Sequence, residues 1–230
     1  MKKIIIIIIF ILLLFAENTN AQTGKLNYEL EFTSKVASLA IPVDFLGKEF
    51  IRPSILIDAG VNLRYSINEK NRVGSGVIYS VKGNSFIFDE SYNFPDNFSQ
   101  NNTYNYIEIP LFFEHSFNKI VLKTGLIYQR LFFTNIKFRN VPDSIFGQTK
   151  EEFLRYDERE FSSYLKKRGY NMNNAGFMLS LGKHYDLNYK MYWGWGLQFK
   201  TNLFPLFKPK ENEINAYLYS FGINLKIGLK

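Results

Sequence analysis

Residues 217–230 read YLYSFGINLKIGLK, with a bulky apolar side chain at every odd position from Tyr217 to Leu229. From Ser220 onward the even positions carry only small or polar side chains. Because successive side chains of a strand point to opposite faces of a sheet, this period of two predicts a strand with one apolar and one polar face. A strand of a globular protein averages about five or six residues, whereas a tilted strand that crosses a bilayer needs about 9 to 11. The segment is therefore long enough to cross a membrane.

The same alternation recurs along the chain and predicts eight strands in total. It is strict in 55–67 and 191–200, and it is weaker in five further segments, 25–32, 73–88, 104–117, 120–133 and 174–184. We expect the last strand to pair with 25–32 and so to close a barrel.

The predicted connections alternate between short and long. The short ones are 68–72, 118–119 and 186–190, and the longer ones are 33–53, 89–103, 134–173 and 204–214. Outer-membrane barrels have this asymmetry, with short periplasmic turns and longer external loops. The predicted fold is all-β, an eight-stranded antiparallel up-and-down transmembrane β-barrel with a short helix in the third external loop and with both termini on the periplasmic side.

The small volume of the barrel interior decides whether the apolar face of each strand points inward or outward. The interior of an eight-stranded barrel is just wide enough for side chains, so the bulky residues of every strand would overfill it and must face lipid. Arg or Lys at the lipid midplane costs about 2 to 4 kcal/mol. The charges accordingly share the opposite, lumen-facing parity, namely Asp58, Arg64, Glu108, Lys123, Lys200 and Lys226.

Five of these residues, Asp58, Arg64, Glu108, Lys123 and Lys200, form a hypothetical polar network in the lumen. Buried charges must be paired or hydrogen-bonded to be tolerated. Ion pairing that satisfies a plugged interior is the favoured interpretation, and a proton relay or a binding site is the alternative.

Two residues conflict with the simple pattern. Arg130 has the lipid-facing parity, so we expect it to reach the external interface, or a bulge to reset the parity. Pro110 has no N–H for a ladder bond and a closed barrel has no edge strand, so we expect a bulge or an unpaired carbonyl there.

The first residues have the pattern of a secretory signal peptide. Lys2 and Lys3 precede an apolar run that ends at Ala16, and a short polar stretch leads to Ala21. We expect cleavage after Ala21, so that 1–21 is the signal peptide and 22–230 is one outer-membrane barrel domain. The expected location is the outer membrane of a Gram-negative bacterium.

Composition argues against several classes of function. The chain has no cysteine and two histidines, which excludes a disulfide framework and a lipidated cysteine and offers no metal-ligand spacing. The net charge of +7 is spread among acids rather than clustered, so no nucleic-acid partner is expected. We expect no cofactor and no metal.

The segment Tyr106-Ile107-Glu108-Ile109-Pro110-Leu111-Phe112-Phe113 resembles the PorT-like outer-membrane β-barrel family, whose strands carry a Tyr-[Leu/Ile]-Glu-[Ile/Val]-Pro-Leu motif. The resemblance implies an outer-membrane location in contact with lipid and, for one branch, accessory work in protein secretion and gliding. It brings no catalytic residue.

The last strand also resembles the barrel-assembly signal of such proteins. The spacing of Ser220, Gly222, Leu225 and Ile227 matches it, which implies contact with the barrel-assembly machinery during biogenesis. The chain departs from that signal where many members end on an aromatic residue, because it carries Leu229 and Lys230 there.

Loop 134–173 contains the sequence Thr149-Lys150-Glu151-Glu152, a capping box that predicts a helix after it. Acids stand in its first turn, and Lys166, Lys167 and Arg168 precede Gly169 at its expected end. The helix could dock a protein partner or cover the barrel mouth, and the simpler reading is a helix packed on the rim.

We expect a non-enzymatic barrel that acts as an interaction, scaffold or secretion-accessory component through its external loops. Ser180 and His184 share lumen parity, but four residues along a strand separate them by about 13 Å, too far for a catalytic pair. The alternatives are a barrel enzyme acting on lipid or envelope polymers and, third, a soluble lipocalin-like carrier with its apolar face inward.

Overall fold

The computed structural model describes residues 26–40, 50–87, 98–145, 147–155, 169–206 and 216–229. The predicted signal peptide lies outside the described residues. The strands are β1 (Leu26–Ala40), β2 (Phe50–Ser66), β3 (Asn71–Ile87), β4 (Ser99–Phe117), β5 (Ile120–Arg139), β6 (Ser144–Ile145), β7 (Gln148–Thr149), β8 (Asn173–Asp186), β9 (Met191–Asn202) and β10 (Tyr217–Leu229). Within the described ranges, no helix is long and apolar enough to span a membrane.

Eight strands close into an antiparallel barrel in the order β1-β10-β9-β8-β5-β4-β3-β2. The closing pair is β1 with β10, in a register that joins Tyr28 to Leu229 and Ala40 to Tyr217. The predicted fold class and the predicted closure are confirmed. β6 and β7 pair in a small hairpin with two residues in each strand, which the alternation of apolar and polar residues did not predict.

The short connections lie at one end of the barrel, and two of them use the same turn. Asn68 accepts hydrogen bonds from the backbone N–H groups of Lys70 and Asn71, at 3.0 and 2.8 Å. Asn188 accepts in the same way from Lys190 and Met191, at 2.8 Å each. In the third turn Asn118 has a φ of 57°, a left-handed conformation that asparagine tolerates better than most residues. This end is the periplasmic one.

The wall of the barrel has an uneven height at the external end. β3, β4 and β5 have 17, 19 and 20 residues, whereas β8, β9 and β10 have 14, 12 and 13. The strands therefore continue into segments that the sequence predicted as loops. The predicted long connections 33–53, 89–103 and 134–173 are shorter than expected, whereas the connection predicted as 204–214 is longer and covers 203–216. The extra length follows from backbone pairing, which does not require the apolar alternation used to predict it.

One β-bulge changes the parity of β5. Asn105 pairs with Phe133 and Tyr106 pairs with Leu131, so β5 has one extra residue, Phe132. Phe132 and Phe133 are both exposed, and beyond them Thr134 and Ile136 face inward. Arg130 precedes the bulge and stays exposed on the outer surface, as its parity predicts.

Pro110 causes no bulge, contrary to one of the two outcomes expected there. Its pairing with Ile127 on β5 is regular. On the β3 side the ladder skips Gly76 and Val77, although the register on both sides of the gap is unchanged. Because the missing N–H faces β3, the strands keep their alignment and lose only local pairing.

The outer surface of the barrel is apolar and its interior is polar. Outward side chains include Phe32, Ile57, Leu111, Leu126 and Leu225, each more than half exposed. The inward set on the same strands contains the buried charges described below. A contiguous apolar band of this size does not face water, and only a closed barrel or a helix satisfies the backbone inside a bilayer. The chain is an outer-membrane β-barrel with its apolar surface in contact with lipid.

Candidate functional site in the lumen and at the external mouth

The periplasmic half of the lumen contains an ion cluster around Arg64. Its guanidinium lies 3.2 Å from carboxylate oxygens of both Glu29 and Glu114 and also donates to the Tyr192 hydroxyl. The Tyr192 hydroxyl donates in turn to Glu29 at 2.7 Å. One cation from β2 thereby joins β1, β4 and β9 into a single network.

Glu31 is the centre of a second group in the same half. Its carboxylate accepts from Lys123 at 3.0 Å, from Gln198 at 2.7 Å and from Asn62 at 2.8 Å. Glu31 lies on β1 and Lys123 on β5, and four steps around the barrel separate these strands in either direction. The ion pair therefore spans the full diameter of the lumen.

A third group occupies the half nearer the external mouth. Lys200 lies 3.0 Å from Asp58 and 2.8 Å from Glu108. Asp58 is also paired with Lys35, and Glu108 with Lys82 at 3.1 Å. Three cations here share two carboxylates, so each carboxylate has two cationic partners.

Aromatic rings complete the packing around the cations. The Lys82 ammonium lies 5.0 Å from the ring centre of Tyr106, and that of Lys123 lies 4.0 Å from that of Phe112. Arg64 lies 4.7 Å from the ring centre of Tyr192. A cation over an aromatic face is attracted by the ring quadrupole, more strongly where water is excluded. The arrangement fills the cross-section with paired charges and rings.

The structure brings together three of the five residues of the hypothetical lumen network and places the other two in separate groups. Asp58, Glu108 and Lys200 are in direct contact, whereas Arg64 and Lys123 belong to the periplasmic groups. All five are buried. The sequence interpretation missed Glu29, Glu31, Lys35, Lys82 and Glu114, which complete the ion pairs. The signal existed on β1, where Leu30 and Phe32 alternate with two of these acids.

The motif that carries the family resemblance turns its polar residues into the lumen. Tyr106, Glu108, Pro110 and Phe112 all face inward and are buried, and Glu108 is one of the two carboxylates of the third group. Ile109, Leu111 and Phe113 face outward and are exposed. The Tyr-x-Glu-x-Pro spacing therefore specifies lumen packing on β4.

An apolar cluster closes the external mouth above the charges. Tyr104, Leu131, Tyr170, Leu206 and Leu218 are buried together there. Tyr170 meets Tyr104 edge to face at 5.6 Å between ring centres. Backbone bonds hold the entering segments, because the Asn171 N–H donates to the Leu206 carbonyl and the Leu206 N–H to Ala216. Connecting segments therefore fold into the mouth.

A second apolar cluster lies beyond the mouth, on the tall side of the wall. Phe98, Val141, Ile145 and Phe153 are buried against one another, and Phe138 packs edge to face on Phe153 at 5.1 Å. We call this cluster, with hairpin β6–β7 and the helical turn 150–155, the external platform. It rises from β4 and β5.

The predicted capping box holds the start of the helical turn. The Thr149 N–H and hydroxyl donate to Glu152 at 3.0 and 2.9 Å, and the Glu152 N–H donates back to the hydroxyl at 3.4 Å. These bonds hold the pKa of the Glu152 carboxyl below its usual value. The described helix covers 150–155, and its predicted end near Gly169 lies beyond a range outside the described residues.

Ser180 and the two histidines of the chain make ordinary contacts. The Ser180 hydroxyl accepts from Asn224 at 3.2 Å, while the His184 ring packs on Tyr192 at 4.9 Å, so these two do not act as a pair. His115 lies 2.6 Å from the Asn71 side-chain oxygen near the periplasmic turn. Across the described ranges, no three His, Cys, Asp or Glu residues are grouped to hold a metal ion.

The four residues of the hypothetical assembly signal occupy both faces of β10. Ser220 and Gly222 face the lumen, and Leu225 and Ile227 face lipid. A side chain at Gly222 would meet the backbone and the Cβ of Lys35 at 2.6 to 2.7 Å. Gly222 thus admits Lys35 to the lumen, which is a structural reason for glycine at this position.

Comparison with known proteins gives only distant similarities. No protein-family model matches the sequence, and no curated protein matches it. The attachment invasion locus protein Ail of Yersinia pestis, solved with the heparin analogue sucrose octasulfate, is similar over 88% of this chain and 99% of its own, at 11% identity and a TM-score of 0.40. The outer membrane protease OmpT of Escherichia coli is similar over 92% of this chain and 98% of its own, at 9% identity and a TM-score of 0.39. The outer membrane protein OprG of Pseudomonas aeruginosa is similar over 88% of this chain and 96% of its own, at 10% identity and a TM-score of 0.37.

Proposed function

We propose that this chain is a non-conducting, non-enzymatic outer-membrane protein that works as an interaction component through its external side. The observation that carries the proposal is the filled lumen. Buried ion pairs span its diameter from β1 to β5, and the apolar cluster around Tyr104 and Tyr170 closes its external end. A path for ions would have to break these contacts, and unpairing a buried charge costs about 3 to 5 kcal/mol.

The external platform supports a role in binding. Most connections in compact proteins are short, and long ones are usually either functional or disordered. Here residues 141–155 add a hairpin, a capped helical turn and an apolar cluster with Phe98 to the tall side of the wall. Such packing presents a fixed surface to the medium at a low entropic cost of binding.

Within this proposal, the resemblance at Tyr106–Phe113 to the PorT-like family favours an accessory component in protein secretion. We also propose that the chain is exported by its N-terminal segment and inserted by the barrel-assembly machinery through β10. The predicted loop 134–173, which contains most of the external platform, is the proposed contact with a protein partner.

Two measurements test the proposal. Planar bilayers containing the purified barrel are expected to show no discrete conductance steps, and regular steps would refute a sealed lumen. Second, cells carrying the chain with 141–168 replaced by a short Gly-Ser linker are expected to insert it normally but to lose cross-linked protein adducts on their surface. Unchanged adducts would refute the role of the platform. Replacing the 41–49 connection between β1 and β2 with the same linker is the control, because no residue of this connection belongs to the external platform as defined above.

A further inference from the structure

The buried charges of the lumen do not balance. Within the described residues, six basic and five acidic side chains are buried there. The acids are Glu29, Glu31, Asp58, Glu108 and Glu114, and the bases are Lys35, Arg64, Lys82, Lys123, Lys200 and Lys226. Arg72, close to a periplasmic turn, is partly exposed to water and is left out of this comparison. In their ionised forms the buried groups leave one positive charge in excess inside the barrel.

The excess charge lies in the third ion group, nearer the external mouth. The periplasmic half is balanced, because Glu29, Glu31 and Glu114 face Arg64, Lys123 and Lys226. In the third group, Lys35, Lys82 and Lys200 share the carboxylates of Asp58 and Glu108. No other carboxylate in the described part of the chain pairs with these lysines. Since a buried cation without a counter-charge is strongly destabilising, this group requires one more negative charge.

Lys82 is the least compensated of the three lysines. Its ammonium lies 3.1 Å from Glu108, which Lys200 contacts more closely at 2.8 Å. Lys82 also donates to the side-chain oxygen of Asn202 at 3.1 Å, and the ring centre of Tyr106 lies 5.0 Å away. A neutral amide and a ring attract the ammonium but carry no net charge. The missing negative charge therefore belongs beside Lys82.

Side-chain donors without acceptors surround the same ammonium. Because the Asn202 oxygen already accepts from Lys82, its Nδ2 group is left as a donor, and it is buried without a partner among the described residues. The Tyr106 hydroxyl lies beside the Asn202 side chain, outside hydrogen-bonding geometry, and is likewise buried. Leaving a buried donor without an acceptor is costly. Lys82, Asn202 and Tyr106 thus share the need for one acceptor.

We propose that the lumen binds one small monovalent anion of the size of chloride, held by the Lys82 ammonium, the Asn202 Nδ2 group and the Tyr106 hydroxyl. Such an anion accepts several hydrogen bonds and cancels the excess charge, whereas a water molecule supplies acceptors but no charge. The apolar cluster around Tyr104 and Tyr170 lies on the external side of the site, and the two other ion groups lie on its periplasmic side. The anion is therefore enclosed when the barrel folds, and the inference is independent of the external platform.

The first test measures how chloride changes the stability of the purified full-length chain in lipid vesicles. Reversible urea unfolding is followed by tryptophan fluorescence at constant ionic strength, with gluconate, which is too large for an enclosed site, replacing chloride. Raising chloride from about 1 mM to about 100 mM is expected to increase the ratio of folded to unfolded chain about tenfold, as a dissociation constant of about 10 mM for the folded state alone implies. Equal stability in the two salts would overturn the proposal.

Two variants locate the effect in the lumen. Lys82→Met removes the excess cation, and its stability should no longer depend on chloride. Lys70→Met removes an exposed lysine at a periplasmic turn and is the matched control, which should keep the full dependence. If Lys82→Met shows the same dependence as Lys70→Met, chloride acts elsewhere and the proposal is wrong.

Asn202→Asp keeps the test decisive if Lys82→Met folds poorly. The aspartate has nearly the shape of asparagine, keeps an oxygen toward Lys82 and replaces the unpartnered Nδ2 group with a permanent negative charge. We expect this variant to be independent of chloride and to exceed the unaltered chain in stability at low chloride. An undiminished chloride dependence in Asn202→Asp would contradict the proposed site.

Bromide locates the anion directly. Crystals of the barrel refolded in bromide should give an anomalous difference peak within hydrogen-bonding distance of the Lys82 ammonium and the Asn202 Nδ2 group. The same crystals of Asn202→Asp should lack this peak. Density for water alone beside Lys82, with no anomalous signal in the unaltered chain, would overturn the proposal.

Discussion

Replacing Glu108 with glutamine tests the charge balance of the lumen. The carboxylate pairs with Lys200 at 2.8 Å and with Lys82 at 3.1 Å, and it is completely buried. The glutamine has nearly the same shape but no charge, so Lys35, Lys82 and Lys200 are left with Asp58 as the carboxylate of their group. Removing one partner of a buried ion pair costs about 3 to 5 kcal/mol. We expect Glu108→Gln to lower the free energy of unfolding by that amount.

Lys200→Met is the informative comparison, because we expect the same ion group to tolerate the loss of Lys200 better than the loss of Glu108. Without Lys200, Lys35 still pairs with Asp58 and Lys82 with Glu108, and charges of opposite sign are equal in number. The remaining cost is that of lost hydrogen bonds, about 1 to 3 kcal/mol. Removing the carboxylate should therefore destabilise the barrel more than removing the cation between the two carboxylates.

The assay is reversible urea unfolding of the barrel from lipid vesicles, followed by tryptophan fluorescence. Glu69→Gln, at an exposed periplasmic turn, is the matched control and should change the free energy of unfolding by less than about 0.5 kcal/mol. A larger loss for Lys200→Met than for Glu108→Gln would refute the argument from charge balance. A loss below about 1 kcal/mol for Glu108→Gln would refute the buried network itself.

Four further outcomes are expected. Sequencing of the mature protein should begin at Gln22, and an intact N-terminus would contradict cleavage after Ala21. Leu225→Arg should destabilise the inserted barrel by about 2 to 4 kcal/mol in the urea assay, whereas a neutral effect would contradict a lipid-facing position. Thr149→Ala should cost about 0.5 to 2 kcal/mol of local stability, read as faster amide exchange in 150–155 with global unfolding unchanged. The pKa of Glu152 is lowered in the folded chain, so the contribution of its carboxylate to the stability of the helical turn is complete above about pH 4.3 and is lost as the pH falls further. Protection of the turn from amide exchange should therefore decline on acidification.

The membrane-crossing part of the barrel is predictable because lipid imposes a strict rule on each residue. On β10 every outward side chain is apolar and every inward one from Ser220 onward is small or polar, so period, length and orientation follow together. The same rule places Asp58 and Lys123 in the lumen. It fails on β4 and β5 above the membrane, where Asn101 and Lys137 pair across strands without any apolar alternation.

The candidate site is less predictable, because its contacts join residues far apart in sequence. Parity alone places Lys123 and Glu31 in the lumen, but the ion pair between them depends on the register of all the intervening strands. The end of the pairing between β5 and β8, at Arg130 with Asn173, is likewise indicated by no local pattern. The capping box at Thr149 is the opposite case, since all its bonds lie within four residues.

The ion pair between Glu31 and Lys123 has a consequence for how the barrel folds. The two residues lie on diametrically opposite strands and meet only when β1 pairs with β10. Until that moment, an inserted but unclosed sheet leaves Glu31 and Lys123 without each other, and Lys200 of β9 without Asp58 of β2. An ion buried without its partner costs several kcal/mol, so a sheet that has not yet closed is destabilised by that amount for each ion. We therefore expect closure and charge neutralisation to occur together, so that no intermediate with an open seam accumulates during insertion of this barrel.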